Sequence, residues 1–435
     1  MKKRCVRFLL ALLTALALAG CASGSDARPA DSRQRSAQAE ALPLAAEASP
    51  ETGGSAQAPL AGESEPQVPN GPGENRQELP LPPPERRVTL MAVGDIMGHQ
   101  EQLEAAWDPV NQTYQFAPSF AKVKPILQSA DWVVGNLETT LAGADLRYTG
   151  YPQFNTPHTL AFALKEAGFT AVTTANNHSL DRREAGVLRT LDHLDQAGLA
   201  HTGTFRSAEE RSVPLILEKD GIRLGLLAYT YGTNGIPLPK DKPYLVNLIE
   251  PETIKQDIAT ARSLGADLVA VALHFGAEYQ RLPNQEQRKL VDLCFQYGAD
   301  LILGHHPHVL QPYEWRTLTD ETGGTRNGLV IYSLGNFISA QRGDFKDVGG
   351  ILAVTVVKRG EEPAVLEEAS FIPTYVHYYR SQGKRNYVIY PLAETLAAGG
   401  QQDPLISEAV YRKMERLYKE ITIHTSQYLA KQKTG

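Results

Sequence analysis

The sequence predicts an α/β domain on three observations: short apolar runs alternate with helical patterns, most runs are too short to be helices, and polar groups recur where the runs end. The first run, Val88–Val93, breaks at Gly94-Asp95. Helical patterns over Phe116–Ser129 and His158–Gly168 are followed by strands at Asp131–Gly135 and Thr170–Thr174. A helix is expected over Asp181–Ala197. Val213–Glu218 and Ile222–Tyr229 read as paired strands around Lys219-Asp220-Gly221. Helices over Glu250–Leu264 and Asn284–Gly298 precede strands at Asp267–Leu273 and Asp300–Leu303. Leu329–Ser333, Ile351–Lys358 and Ala364–Ile372 finish the strands, and 376–435 is expected to be a largely helical extension whose charged periodicity over 404–431 suits an outer face.

The chain begins with the layout of an export signal over residues 1–20: Lys2, Lys3 and Arg7, an apolar stretch, then Ala19-Gly20 before Cys21. Leu18-Ala19-Gly20-Cys21 resembles the lipobox of bacterial lipoproteins, which implies lipidation of Cys21 and a lipid-anchored protein on the extracytoplasmic face of the cell membrane. Residues 21–86 contain no aromatic side chain, are rich in Ala, Pro and Glu, and read as a disordered tether, reaching on the order of 40–50 Å. Of three cysteines only Cys294 is left to the mature domain, so no intrachain disulfide is available; it shares a helical face with Leu290, Val291 and Tyr297 and reads as a core thiol. A net charge of -6 argues against nucleic acid as a partner.

The densest chemistry is Leu301–Gln311, where three histidines follow an apolar run. The run is expected to be a buried parallel strand ending at a crevice. Gly304 should turn the chain sharply, and Pro307 should keep His306 out of helical geometry, so that His306 and His308 project the same way from an extended segment. Two imidazoles so placed could bind one metal ion or each reach one ion of a pair. Other runs end in kind. Asp95 is followed by His99; Asn136 and Glu138 follow Asp131–Gly135; Asn177-His178 follow Thr170–Thr174; His274 precedes Glu278; and Asn336 follows Leu329–Ser333. Singly these could be caps, Asx turns or core histidines. Together, at one sheet edge, they predict a site. Carboxylate, amide and imidazole donors suit manganese, iron or zinc better than calcium. Asp95, Glu138, Asn177, His274, His306 and His308 suffice for two divalent ions with one bridging carboxylate. His178 would protonate a leaving group, and Asn136, Glu278 and Asn336 are the candidate substrate contacts.

The blocks G-D-I-M-G-H, G-N-L-E-T-T-L, Y-P-x-F-N-T-P, T-A-N-N-H-S-L-D, Y-T-Y-G-T-N-G, L-H-F-G-A-E-Y-Q, G-H-H-P-H-V-L-Q-P and Y-S-L-G-N-F-I resemble the CapA family of poly-γ-glutamate capsule biosynthesis proteins, from about Val88 to Thr374, within a domain placed at 87–375. The resemblance implies a four-layer αββα sandwich similar to calcineurin-like metallophosphoesterases, and a role in synthesis, export or anchoring of an anionic capsule polymer. Asn177-His178, His274, His306-Pro307-His308 and Asp95 match the metallophosphoesterase signature. Met97 stands where a histidine is expected, so that His99 either substitutes or faces solvent; Glu138 stands for an aspartate, and His305 for a residue that is often serine. Two functional classes stay open: a metal-dependent hydrolase of a phosphoester or γ-glutamyl bond, and a non-catalytic accessory subunit binding the polymer or a membrane synthase. Arg281, Arg342 and Lys346 could meet polymer at the site edge or be solvated loop charges.

Overall fold

The structure, a computed structural model, describes residues 84–319, 323–399 and 402–432; the export signal, Cys21 and nearly all of the expected tether lie outside them. In the larger sheet the strand order is Lys384–Pro391, Val365–Ser381, Val348–Arg359, Glu85–Ile96, Trp132–Leu137, Ala171–Thr173 and Ala200–Thr202, with Asn336–Ile338 beside the end of Glu85–Ile96. In the smaller sheet it is Leu310–Thr319, Thr325–Leu334, Leu301–His305, Leu268–His274, Ile222–Thr230 and Leu215–Lys219. In the larger sheet the pairs from Glu85–Ile96 to Ala200–Thr202 are parallel and those from Lys384–Pro391 to Glu85–Ile96 antiparallel; in the smaller sheet the inner pairs are parallel and both edge pairs antiparallel.

Strand periodicity sets the layers. Val88, Leu90 and Ala92 share one buried cluster with Leu226, Ala270, Leu303 and Ile331 of the other sheet. Met91 and Val93, pointing the opposite way, join Leu160, Leu164 and Leu191 from the helices Thr159–Ala167 and Arg183–Ala197. On the far face of the smaller sheet Val269, Val271 and Ile302 join Ile254, Ile258 and Val291 from the helices Pro251–Ser263 and Gln285–Gln296. The result is helix, sheet, sheet, helix, as expected. Cys294 lies in that last cluster, its thiol pushed up to about 12 by burial.

The structure departs from the sequence reading in places with a physical reason. The helix expected over Phe116–Ser129 is two short pieces, Ala117–Phe120 and Lys124–Leu127, because Pro125 would fall in its interior and remove a donor there, whereas Pro118 lies in the first turn. The chain after residue 375 is not largely helical at its start: Val365–Ser381 runs on as strand and turns back into Lys384–Pro391, whose Tyr, Val and Ile suit a pleated surface. Helix there is confined to Leu392–Ala397 and Glu408–Gln432, the latter burying Met414, Leu417 and Ile421 against Tyr375 and Tyr390. Leu310–Thr319 is a further unexpected strand, at a sheet edge that tolerates Pro312.

Gly304 does not turn the chain. It stays within Leu301–His305, paired with Leu273, and a Cβ there would stand 2.0 Å from the Tyr332 carbonyl oxygen. Gly94 is equally confined, its Cβ position 1.9 Å from the Gly335 carbonyl oxygen. Gly335, at φ 64°, carries the chain from Thr325–Leu334 in one sheet to Asn336–Ile338 in the other. Both glycines therefore serve close backbone approach. Gly304→Ala should cost about 3 kcal/mol or more through forced strand separation. Chemical denaturation of the variant checks this; an unchanged midpoint would refute the close approach.

Candidate metal centre

The parallel strands deliver their polar ends to one place. Asp95 closes Glu85–Ile96, Glu138 follows Trp132–Leu137, Asn177 follows Ala171–Thr173, and His274 and His305 end their strands. Asp95, Glu138 and His274 form one group, and Glu278, His306 and His308 a second; within each, one ligand atom per residue lies within 4.8 Å of the others. The groups adjoin. His308 Nδ1 is 3.3 Å from Asp95 Oδ2 and His308 Nε2 is 3.9 Å from Glu138 Oε1. Asn177 Oδ1 lies 2.8 Å from His274 Nε2, so it sits with the first group. Glu278 alone is exposed; the other five are buried.

His306 and His308 do converge, but not from an extended segment. The strand ends at His305, and His306 at φ 95° and His308 at φ 58° make a left-handed turn on either side of Pro307. Their ring centroids are 6.0 Å apart, and His306 is 4.8 Å from His274.

The electrostatics separate the two buried carboxylates. Burial would raise Asp95, but His305 and His308 outweigh it and hold the group well below the usual carboxylate range. Asn136 Nδ2 donates to Asp95 Oδ1 at 2.8 Å, and the His306 N–H lies 3.3 Å from Oδ2. Glu138 is raised well above that range by burial and by the Asp95 charge. It is 0% exposed, and neither of its oxygens has a hydrogen-bond partner. His306 Nδ1 is likewise buried without a hydrogen-bond partner, and His305 Nδ1 has only Asp95 Oδ1, at 3.4 Å. Burial, then His306, lowers His274 well below the usual imidazole value; burial, then His308, lowers His306 to about 4. Neutral imidazoles and an unpaired carboxylate in one pocket are what a divalent cation requires, and they give the orphaned atoms a partner. The residues fit two metal ions.

The three candidate substrate contacts lie in or beside the cluster. Asn136 and Asn336 are buried and spent on the cluster: Asn136 bonds Asp95 and lies 3.3 Å from His274 Nδ1, while Asn336 Oδ1 faces His308 Nδ1 at 3.1 Å and its amide donates to the Lys346 carbonyl. They are placed as second partners of metal-binding imidazoles are, where they would orient Asp95 and His308. Glu278 belongs to the second group. His99 joins neither group and does not face solvent; its Nδ1 lies 3.2 Å from Gln102 Oε1 beside the helix Gln100–Ala106, and burial lowers it to about 4. Arg281 stacks on Phe345 and pairs with Glu420, and Lys346 lies over Tyr279.

Several residues were not singled out by sequence. Asp181 Oδ2 stands 2.7 Å from His178 Nδ1 and also accepts the Phe154 N–H. That fixes a proton on Nδ1 and leaves Nε2 free. Tyr231 stacks on His274 and tilts onto His306 at 4.7 Å, and Tyr279 tilts over His308 at 6.1 Å. Asn234 accepts from Asn177 Nδ2 at 3.1 Å. All four lie in the blocks already quoted, so position within a block was the available signal.

A two-sheet sandwich that gathers buried acids and histidines at one edge is consistent with a metallophosphoesterase-like site. The model of the bacterial capsule synthesis protein PGA_cap family matches residues 89–341, more than half of the chain, and the chain belongs to that family. It is 30% identical over 263 residues to the capsule biosynthesis protein CapA of Bacillus anthracis, covering 59% of this chain and 60% of that one. It is 32% identical over 259 residues to the PGA biosynthesis protein CapA of Bacillus subtilis, covering 57% and 62%. The match thus spans less than two thirds of those relatives. Among solved structures, the Haemophilus influenzae NAD nucleotidase NadN aligns at TM-score 0.42 and 12% identity over 78% of this chain and 67% of that one. The calcineurin-like phosphoesterase YfkN of Bacillus subtilis aligns at 0.37 and 15% over 67% and 91%. At these scores the likeness assigns no activity.

Glu138 supplies a test of the metal fit. Its folded value lies above its unfolded one, about 4.3, so ionisation costs the metal-free fold stability at every pH above that point. With chelator at neutral pH, Glu138→Gln should melt higher than wild type, and the gap should close toward about pH 4. With metal supplied the order should reverse. Melts in which chelator changes neither protein would remove the argument.

Proposed function

We propose that the chain is a divalent-metal hydrolase of capsule-polymer metabolism that cleaves a phosphoester or a γ-glutamyl bond. The observation that carries the reading is Glu138, a fully buried carboxylate whose two oxygens lack hydrogen bonds while His274, His308 and Asp95 surround it. Manganese, iron or zinc suits such mixed neighbours. Ions held by Asp95, Glu138, Asn177 and His274, and by Glu278, His306 and His308, would supply Lewis-acid polarisation of the scissile group.

The rest is the work of the chain. Asn136 and Asn336 keep Asp95 and His308 oriented. Asp181 holds the Nδ1 proton of His178, so that Nε2 can hand a proton to the leaving oxygen or nitrogen. Tyr231 and Tyr279 cover the imidazole faces of the two groups and narrow the approach of water. The family description and both CapA relatives support the capsule setting; poly-γ-glutamate would be the polymer and its membrane synthase a partner. The Ala19-Gly20-Cys21 pattern supports lipidation of Cys21 and an extracytoplasmic position at the cell membrane.

The full chain, purified without chelator, should carry about one to two metal equivalents by elemental mass spectrometry and turn over bis-p-nitrophenyl phosphate. His306→Ala and Asn177→Ala should lose both. His178→Ala should keep its metal and lose about 10²–10⁴-fold in kcat. If wild type stays metal-free after manganese, iron and zinc are supplied, the hydrolase reading fails and the cleft becomes a binding surface for polymer or synthase.

A further inference from the structure

Away from the metal groups, the last two strands of the larger sheet gather positive charge that the fold compensates only in part. Arg380 and Arg385 are directly opposed on antiparallel strands, a placement in which like charges repel, and Tyr378 opposes Tyr387 two residues along. The Arg342 guanidinium lies 5.0 Å from the Tyr378 ring centroid and 5.1 Å from that of Tyr387, while Arg385 lies 5.5 Å from the same Tyr378 ring. Two cations thus share one aromatic ring. The acid beside them is Glu101, 3.5 Å from Arg385 and itself 43% exposed. In a chain of net charge -6 this is a local reversal of sign.

Donors here lack acceptors. Arg342 Nη1 donates to the Val376 carbonyl, but its Nη2 is buried without a partner, and so is the hydroxyl of Tyr387, a side chain 4% exposed. Buried guanidinium and hydroxyl donors of this kind are rarely left unmatched. Tyr387 and Lys384 also line a cavity of about 280 Å³, together with Gln102, Trp107, Ser381 and Asn386. Lys384 donates to the Trp107 carbonyl rather than to an acid.

A forked guanidinium recognises a carboxylate or phosphate through paired N–H donors. Arg380 and Arg385 share one face of the strand pair with Tyr378 and Tyr387, and Arg342 lies over both of those rings, so the guanidinium groups are spread along that face rather than meeting at one point. We propose that Arg342, Arg385 and Tyr387, flanked by Arg380, form an anion subsite that takes an extended chain bearing repeated oxyanions. The subsite adjoins the metal centre through one loop: Gln341, next to Arg342, accepts from Asn336, whose carbonyl faces His308. A chain held at the sheet edge is thereby presented beside the metal groups, and its binding does not depend on their being loaded.

Calorimetric titration of the full chain with a γ-linked glutamate oligomer, inorganic polyphosphate and uncharged polyethylene glycol tests this. Saturable, salt-sensitive binding of an anionic polymer, with none of the neutral one, is expected; preference between the two anionic polymers identifies carboxylate or phosphate as the bound group. Arg342→Gln and the more exposed Arg385→Gln should each weaken binding about ten-fold, whereas Arg412→Gln on the distant C-terminal helix should not. His306→Ala should still bind, which separates this subsite from the hydrolase reading. No saturable binding of either anionic polymer, or equal binding by wild type and a correctly folded Arg385→Gln, overturns the proposal.

Discussion

The site exists because two sheets are joined at their C-terminal edges by backbone contact that only glycine allows. The chain leaves one sheet at Leu334 and enters the other at Asn336, and between them the Gly335 carbonyl accepts the Asp95 N–H at 2.9 Å. Gly94 gives that carbonyl room, and Gly304 gives the Tyr332 carbonyl the same room one strand away. Any side chain at either point would push the strands apart. The carboxylate of Asp95, on one sheet, would then no longer reach His305 and His308, which the other sheet supplies. Site geometry is thus a consequence of how closely main chains pack, and the ligand side chains inherit it.

That closeness has an electrostatic cost, which the fold meets unevenly. Asp95 is stabilised as an anion by Asn136, by the His306 N–H and by two imidazoles. Glu138, a few ångströms away across His308, receives no hydrogen bond and feels Asp95 as a like charge. A fold selected only for stability would replace such a group with an apolar or amide side chain. Its retention beside imidazoles that burial keeps neutral makes sense if the missing partner is a cation. The same reasoning applies with sign reversed to Arg342, whose Nη2 is buried without a partner beside the tyrosine ring it shares with Arg385.

Much of this was legible in sequence because its causes are local. Alternation of short apolar runs and helical patterns fixes the layers, since a parallel strand buried on both faces must be apolar throughout and a helix covering it needs one apolar stripe. Polar residues at the ends of those runs fall together because parallel strands share one C-terminal edge. What escaped depended on contacts distant in sequence or on backbone conformation. The turn at His306 and His308 has two left-handed residues, which no propensity for histidine foretells. Asn136 and Asn336 are at strand ends as expected, yet whether such an amide points at substrate or at a ligand is decided by Asp95 and His308, dozens of residues away or more. Lys384–Pro391 was missed because its pattern is short and charged at one end, and becomes a strand by pairing with Val365–Ser381.

The exposure of the two metal groups differs in a way that gives the site a direction. Asp95, Glu138 and His274 are sealed beneath the sheet edge, whereas Glu278 is exposed and Tyr231 and Tyr279 beside it are about half so. A substrate can reach the second group first, across tyrosine rings that offer apolar faces and hydroxyls together. The deep group, buried beside His308, is shielded from bulk water, so a charge there acts with less screening. His178, oriented by Asp181 beneath Phe154, also lies on the buried side. In the hydrolysis proposed above, that arrangement would place attack on the open side and proton delivery on the enclosed side, because the group that would hold one proton in one orientation is the one the fold keeps out of solvent.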